Sequence, residues 1–226
     1  AAWRVALGLA TVWGFGLWLL AAPMPEPRAI TLRLVQPDAA QQTKWDPDLA
    51  QQFFDRLLAY TAVKPAPDLV IWPETALPYL IERHPEIAQI IAEAANGATV
   101  ALGLQRSEGA QGWNSLRVIG ADGSTLANYD KFHLVPFGEY IPFGDALFAW
   151  ANISAFASAS GNGYMAGPGP QVIDLGALGK MQPLICYEAV FPQDLRGAGR
   201  ADWLLQITND AWFGVWSGPF QHAAQA

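Results

Sequence analysis

The stretch DLVIWPETALP, residues 68–78, begins with a short apolar run and places the charged residue Glu74 directly after it. An uninterrupted apolar run of this length is typical of a strand that is buried on both faces of a sheet. The arrangement recurs in PLICYEAVFP, residues 183–192, where the apolar run ends at Cys186 and Glu188 follows. The sequence therefore predicts buried strands that deliver polar groups at their ends.

Helices and hairpins are predicted between and around these two segments. Asp46 and Pro47 begin a helix over 48–60, and Gly97 ends a helix over 85–97. Apolar or alternating patterns, with turns at ADG and GALG, predict the remaining strands. These strands are expected at 30–36, 68–72, 98–104, 114–120, 124–130, 171–175, 180–186 and 202–208, with a short helix at 192–199. This order fits an α/β layered sandwich.

The segment 132–169 is rich in Gly, Pro, Phe and Ser, with one helix predicted at 145–152. A loop of this size in a compact domain is usually a lid or a binding loop. Apolar side chains gain about 25 cal/mol per Å² on leaving water, so we expect its aromatic residues to form a mobile, membrane-facing lid. These residues are Phe137, Tyr140, Phe143, Phe148, Trp150 and Phe156.

Composition limits the classes of function. The chain has 226 residues, 52% of them hydrophobic and 15% charged, which is enough for one sizeable core and indicates one main domain. The formal net charge of −7 and the lack of a basic stripe argue against a nucleic-acid partner. The single cysteine excludes an internal disulfide, and no Cys/His cluster has the spacing of a zinc site, so we expect no metal.

The N-terminal segment is predicted to cross a membrane. Val5 to Ala22 carries no charge, and as a helix it would span about 27 Å, close to the thickness of a bilayer core. A signal-peptide core would be shorter, and Trp13, Trp18 and three glycines suit a buried globular helix poorly.

These patterns divide the chain into a transmembrane helix at 1–22, a proline-rich linker at 23–28 and a catalytic domain at 29–226. Arg4 before the helix and Glu26 after it predict that the N-terminal end faces the cytoplasm.

Three separate apolar settings present groups that could act together in acyl transfer. They are Glu74, Lys131 with Glu139, and Cys186. A carboxylate can take the thiol proton, a thiolate can attack an acyl carbon, and an ammonium can hold the oxyanion. Taken singly, each has a plainer explanation. Cys186 could be an inert core thiol, Glu74 a charge at a helix start and Lys131 a solvated loop charge.

The motifs WPET, DKFHLVPFGEYIPF, ICYE and TNDAWFG, in that order, resemble those of apolipoprotein N-acyltransferases, the membrane-bound branch of the nitrilase superfamily. The resemblance runs from about residue 30 to the last residue. WPE and ICYE alone indicate only the superfamily, whose nitrilases, amidases and carbamoylases share a Glu-Lys-Cys triad. The loop HLVPFGEYIPF, with NDAWFG and GPFQH, narrows it to the acyltransferases.

The resemblance implies a nitrilase-like αββα sandwich preceded by a transmembrane helix. It assigns Glu74 as the base, Lys131 as the oxyanion donor and Cys186 as the nucleophile, and the backbone N–H of Tyr187 is a second candidate donor. It also implies several membrane helices before this chain, and further strands and one more helix after it.

Three more residues belong to the predicted site through the same resemblance. Glu139 and Glu188 have functional counterparts in the family, although either could instead accept structural hydrogen bonds from Lys131 or the backbone. Trp45 corresponds to a tryptophan near the family's active site, and its alternative role is a hydrophobic staple at a helix start.

The implied reaction moves a fatty acyl chain from a glycerophospholipid, through a cysteine thioester, to the N-terminal amine of a diacylglyceryl-cysteine apolipoprotein. No cofactor is implied. The implied setting is the bacterial inner membrane, with the catalytic domain of a monomer on the periplasmic side. Two alternatives stay open: a carbon–nitrogen hydrolase of a small amide or nitrile, and a non-catalytic membrane-tethered binding module.

The three histidines, His84, His133 and His222, suggest a Cys-His dyad. We set this hypothesis aside, because the sequence shows no Asn or Asp context for such a dyad and His133 is explained as a hydrogen-bonding loop residue.

Overall fold

The computed structural model describes residues 2–23, 26–39, 43–44, 46–142 and 163–226. Several predictions concern positions outside the described residues. These are Trp45, the helix expected at 145–152, and the lid aromatics Phe143, Phe148, Trp150 and Phe156.

The chain begins with a long apolar helix, α1 (Ala2–Leu20), where the membrane helix was expected. It has 19 residues with a mean hydropathy of 1.4, and none of them is buried. At 1.5 Å per residue its length is about 28 Å, enough to cross a bilayer core. Length, composition and exposure therefore all fit a membrane-crossing helix.

The larger of two sheets has five strands in the order β1-β2-β3-β4-β5. The first three strands are parallel, and β3, β4 and β5 form an antiparallel meander. The strands are β1 (Leu32–Leu34), β2 (Leu69–Ile71), β3 (Thr99–Glu108), β4 (Gln111–Ile119) and β5 (Thr125–Asp130). Two helices, α2 (Pro47–Thr61) and α3 (Glu86–Ala95), provide the crossovers between β1, β2 and β3.

The smaller sheet has the strand order β6-β7-β8, with β6 antiparallel and β8 parallel to β7. Its strands are β6 (Ile173–Asp174), β7 (Lys180–Ile185) and β8 (Trp203–Ile207). A single-turn helix, α4 (Asp194–Gly197), lies between β7 and β8, and α5 (Gly218–Gln225) follows β8.

Two hydrophobic cores define the layers. One lies between the large sheet and α2 and α3, and includes Leu57, Trp72 and Ile91. The other lies between the two sheets, where Val118 packs in the same cluster as Met181. On the opposite face of β7, Gln182 donates to the carbonyl of Asp194 in α4 at 3.0 Å. The layer order is therefore helix, sheet, sheet, helix, which is the predicted αββα sandwich.

Local signals explain the helix boundaries. The Asp46 side chain caps α2 by accepting from the backbone N–H of Asp48 at 3.0 Å, and Pro47 occupies the first turn. Asn96, in the left-handed conformation, ends α3 immediately before Gly97.

One hairpin was not predicted from the sequence. The structure extends β3 to Glu108 and begins β4 at Gln111, so that these two residues pair across a two-residue turn. The segment RSEGAQ, residues 106–111, is polar and carries no hydrophobic alternation, so its strand structure comes from cross-strand pairing. Gly109 supplies the positive φ of +60° that the turn requires.

Candidate active site

Glu74 lies in the turn that follows β2, and its side chain is buried. This turn packs directly on β3. A Cβ atom on Gly103 would lie 2.6 Å from the Cα of Glu74, so only glycine permits the approach. The next residue, Thr75, has a positive φ of 47°, which is rare for a β-branched side chain. The backbone around Glu74 is therefore held by a close strand contact.

Lys131 follows β5 and is 1% exposed. Its Nζ lies 3.0 Å from Oε1 and 2.9 Å from Oε2 of Glu139, and 3.7 Å from Oε1 of Glu74. Burial alone would lower the pKa of Lys131, but the charges of Glu74 and Glu139 outweigh it and raise that pKa above its usual value. Lys131 is therefore a buried ammonium between two carboxylates.

Asn114 on β4 joins the two carboxylates, and sequence reasoning did not select it as a functional residue. Its Nδ2 donates to Oε1 of Glu74 at 2.7 Å and to Oε1 of Glu139 at 2.8 Å. Its backbone carbonyl accepts from the N–H of Lys131 at 2.9 Å. A polar residue at the inward-facing start of a predicted buried strand is the signal that could have identified it.

Two backbone N–H groups also donate hydrogen bonds to these carboxylates. The N–H of Val135 donates to Oε2 of Glu139 at 2.8 Å, and the N–H of Asn209 donates to Oε2 of Glu74 at 2.9 Å. Hydrogen bonds to both oxygens fix the orientation of each carboxylate.

Cys186 follows the last residue of β7 and has a positive φ of 52°. The thiol is partly buried, and this burial raises its pKa to about 12. The charge of Glu74 also raises the pKa, whereas Lys131 and a hydrogen bond with Thr208 lower it. The thiol is thus protonated at neutral pH and needs a base at the moment of attack.

Glu188 is buried two residues after Cys186 and connects β7 to β5. Its Oε1 accepts from the Tyr129 hydroxyl and from the N–H of Phe132, each at 2.7 Å, and its Oε2 accepts from the N–H of Ile185 at 2.8 Å. Burial raises the pKa of Glu188, and these hydrogen bonds oppose the rise. These contacts place Glu188 behind the site, joining the ends of the two strands that carry Lys131 and Cys186.

Two cavities reach residues of the cluster. One, of about 370 Å³, exposes Cys186 among mainly apolar residues, including Val135, Tyr187, Val190 and Phe213. The other, of about 300 Å³, reaches Glu74 and is more polar. The nucleophile candidate and the base candidate therefore line different cavities.

A buried lysine was also missed by the sequence reasoning. The Nζ of Lys44 donates to the backbone carbonyl of Glu74 at 3.1 Å and to the hydroxyl of Thr75 at 2.6 Å. Burial lowers the pKa of Lys44 to about 8, and the charge of Glu74 opposes the shift. In sequence it lies in the polar segment QQTKWDP, which has no pattern that indicates burial.

The sequence analysis also considered Tyr187 and His133, and the structure places both against Phe191. Tyr187 lines the Cys186 cavity and packs edge-on against Phe191, with ring centroids 5.0 Å apart. His133 stacks on Phe191 at 3.9 Å, with its Nδ1 2.6 Å from a carboxylate oxygen of Asp194, so it contacts a loop and α4. Within the described ranges, no cluster of three or more His, Cys, Asp or Glu residues could hold a metal ion.

The sequence shows no Asn or Asp context for a Cys-His dyad, but the structure places an aspartate beside His222 and that histidine beside Cys186. Its Nδ1 lies 2.8 Å from Oδ1 of Asp210, and its Nε2 lies 3.2 Å from the carbonyl oxygen of Cys186. The sequence separates these groups by 12 and 36 residues, so no short motif could reveal the contact.

Comparison with known proteins gives a family match over residues 31–226, to the carbon–nitrogen hydrolases. Three curated relatives are each described as an apolipoprotein N-acyltransferase. The protein of Allorhizobium ampelinum is 38% identical over 94% of this chain and 42% of its own length. That of Rhizobium meliloti is 40% identical over 94% and 43%, and that of Brucella suis 38% identical over 98% and 44%. The chain therefore spans about two fifths of the length of these relatives, and the resemblance found in the sequence motifs is confirmed.

Solved structures support the fold. A carbon–nitrogen hydrolase from Helicobacter pylori superposes with a TM-score of 0.59 at 17% identity, covering 87% of this chain and 66% of that one. A mutant amidase from Nesterenkonia sp., described as showing covalent addition of an acetamide moiety at its active site cysteine, gives 0.57 at 19% identity, with coverage of 83% and 68%. At these identities the likeness extends to the fold alone.

Proposed function

Since the chain belongs to the carbon–nitrogen hydrolase family, we propose that it carries the catalytic site of an apolipoprotein N-acyltransferase. The observation that carries this proposal is the ammonium of Lys131, which is buried between Glu74 and Glu139. Its positive charge opposes the rise that burial causes in the pKa of the Cys186 thiol. The identity of 38–40% with curated acyltransferases, over nearly the whole chain, supports acyl transfer over hydrolysis.

In the first half-reaction, Glu74 accepts the proton of the Cys186 thiol as sulfur attacks the ester carbonyl of a glycerophospholipid. Lys131 donates to the oxyanion of the tetrahedral intermediate. The intermediate then collapses, the carbon–oxygen ester bond breaks, and the departing alkoxide takes the proton from Glu74. The products are a lysophospholipid and a thioester on Cys186.

In the second half-reaction, the N-terminal amine of a diacylglyceryl-cysteine apolipoprotein attacks the thioester carbonyl. Glu74 accepts a proton from the amine, and Lys131 again holds the oxyanion. The carbon–sulfur bond breaks, and the proton passes from Glu74 to the departing Cys186 sulfur. The acceptor becomes an amide, and the free thiol is restored.

The electrostatics of the site suit these roles. Because the pKa of Cys186 is raised to about 12, little thiolate exists before substrate binds, and Glu74 must remove the proton as the bond forms. Glu139 keeps Lys131 charged and aimed, and Glu188 positions the ends of the strands on which the nucleophile and the ammonium lie. Tyr187 would supply a second oxyanion donor from its backbone, and Trp45 would contribute to substrate binding.

The surroundings of the site fit a lipid substrate. Cys186 opens into a mainly apolar cavity, which suits a fatty acyl chain. Together with α1, this cavity supports a membrane enzyme with a phospholipid donor and a lipoprotein acceptor. We infer a monomer that needs no cofactor, held in the bacterial inner membrane with its catalytic domain at 29–226 on the periplasmic side.

One observation favours a second candidate function, hydrolysis of a small amide. The related folds include an amidase described with a covalent addition at its active site cysteine. In that reaction water would replace the lipoprotein amine in the second step.

Mass spectrometry of the full-length protein tests the choice. Given phospholipid vesicles without an acceptor, the protein should gain one acyl unit on Cys186, removable by neutral hydroxylamine and absent in Cys186→Ala. Lys131→Ala should form the adduct about 10²–10³ times more slowly, the usual effect of removing one oxyanion donor. Lys180→Ala, at an exposed lysine on β7, is the matched control and should behave like the wild type. If no adduct forms while small amides are hydrolysed, the acyltransferase proposal is wrong.

A further inference from the structure

A polar cluster lies beside Cys186, with His222 lining the same cavity, and has no part in the mechanism above. It consists of Gln206 on β8, Thr208 and Asp210 just after that strand, and His222 on α5. The His222 side chain is 9% exposed, and the edge of its ring packs against Phe213, with centroids 5.9 Å apart. We call these four residues the His222 cluster.

The His222 cluster contacts Cys186 at two points. Nε2 of His222 lies 3.2 Å from the Cys186 carbonyl oxygen. At the side chain, burial raises the pKa of the Cys186 thiol, and interaction with Thr208 partly opposes that rise. Asp210 joins these two arms, because its Oδ1 accepts from the Thr208 hydroxyl and faces Nδ1 of His222, each at 2.8 Å. The cluster is therefore one connected unit around the nucleophile.

Hydrogen-bond chemistry shows how this unit holds the carbonyl. Facing a carboxylate, Nδ1 carries the ring proton, so Nε2 of the neutral ring is an acceptor. The amide nitrogen of Gln206 lies 3.2 Å from that Nε2 and 3.3 Å from the Cys186 carbonyl, and can donate one hydrogen to each. In a protonated ring, Nε2–H donates to the carbonyl directly. In the neutral state His222 orients Gln206, which donates to the Cys186 carbonyl, and in the protonated state His222 donates to that carbonyl itself.

Cys186 has a physical need for such support. Its φ of 52° lies in the left-handed region, which a residue with a Cβ atom adopts only at a cost in free energy. Such conformations persist where the surrounding structure over-determines them, and they are concentrated at functional sites. Contacts from other elements that hold the Cys186 carbonyl are one way to keep this conformation in place.

We propose that His222, oriented by Asp210, is a positioning residue that holds the Cys186 carbonyl and keeps the nucleophile in its left-handed conformation. The thiol is thereby held where Glu74 and Lys131 act on it. This inference rests on the proposed function only in taking Cys186 as the nucleophile. The competing explanation is structural: His222 would merely attach α5 to Asp210.

Two amide substitutions separate these explanations. In His222→Gln the terminal amide reaches the position of Nε2 and can donate to the Cys186 carbonyl. In His222→Asn the amide is one carbon shorter and takes the position of Nδ1, where it can donate only to Asp210. The proposal predicts that Gln rescues the nucleophile, whereas the structural explanation predicts that Asn is the better replacement.

The experiment measures two rates in the full-length protein in membranes. These are alkylation of Cys186 by iodoacetamide at pH 9, and acyl-thioester formation from phospholipid. His222→Ala and His222→Asn should lower both by about tenfold, the effect of one hydrogen bond, while His222→Gln stays within about threefold of the wild type. The phospholipid concentration at half-maximal rate should not change. His84→Gln is the control, because His84 is exposed and lies outside the His222 cluster.

Two outcomes would overturn the positioning role. One is an Asn variant that matches the wild type while the Gln variant does not. The other is the same alkylation rate in all three variants as in the wild type. Because iodoacetamide needs no acyl donor, the alkylation series tests this inference even if the wild type forms no thioester, which would reject the proposed function alone. Thermal unfolding of each variant identifies any loss of rate that comes from unfolding.

Discussion

Replacing Asn114 with aspartate tests whether its amide holds the two site carboxylates apart. Asn114→Asp exchanges one NH2 group for an oxygen and changes little in shape. That nitrogen lies 2.7 Å from an oxygen of Glu74 and 2.8 Å from an oxygen of Glu139, inside a buried cluster. The variant thus places three carboxylates in contact, and one of them must hold a proton for the fold to persist.

The stability loss follows from the forced protonation. An aspartate in the unfolded chain has a pKa of about 3.9, and keeping it protonated at a higher pH costs about 1.36 kcal/mol per pH unit. The folded-state pKa of the new group is raised, so its destabilising effect is absent below about pH 4 and grows as the pH rises toward that folded-state pKa. We expect a loss of about 1.5 kcal/mol at pH 5 and about 4 kcal/mol at pH 7.

Urea unfolding at pH 5, 6 and 7 measures this loss, as the difference in unfolding free energy between variant and wild type. The control is Asn128→Asp on the neighbouring strand β5, where the side chain is exposed and accepts from Nε of Arg117 at 2.7 Å. It makes the same chemical change beside a cation and should shift stability by less than about 1 kcal/mol at every pH. Unfolding free energies for Asn114→Asp that run parallel to the wild type across this range would refute the reasoning.

Three further perturbations test other parts of the site. Because burial raises the pKa of Cys186 to about 12, its alkylation by iodoacetamide should accelerate about tenfold per pH unit from pH 7 to 10, and a plateau near pH 9 would contradict this. Gly103→Ala places a methyl group against the turn after β2 and should cost about 1–3 kcal/mol in thermal unfolding, whereas Gly197→Ala, in open space, should cost little. Tyr129→Phe removes a buried hydrogen bond to Glu188 and should cost about 1.5–3 kcal/mol in chemical denaturation, a result that an unchanged midpoint would exclude.

Much of the fold was predictable because its signals are local. Apolar runs and turn residues identified β2, β5, β7 and β8, and Asp46 with Pro47 marked the start of α2. Each of these signals depends on neighbouring residues, whose spacing sets which face is buried. The hairpin between β3 and β4 was missed at its polar end, because pairing with the partner strand decides it.

The candidate site was likewise only partly predictable from the sequence. The sequence was sufficient to predict that Glu74, Lys131 and Cys186 each follow a strand, since the apolar runs before Glu74 and Cys186 and the turn that begins the strand before Lys131 are visible within a few residues. Three contacts became visible only in the folded chain: Asn114 bridges two carboxylates, Lys44 supports the turn after β2, and His222 reaches the carbonyl of Cys186.

The physical reason is distance along the chain. The contact between Glu74 and Asn209 joins residues 135 positions apart. Such contacts depend on the register of the strands and on the packing of one sheet against the other, and a one-residue change in register would turn each side chain to the opposite face. Local patterns specify which residues end a strand, whereas the meeting of those ends is a property of the assembled sandwich.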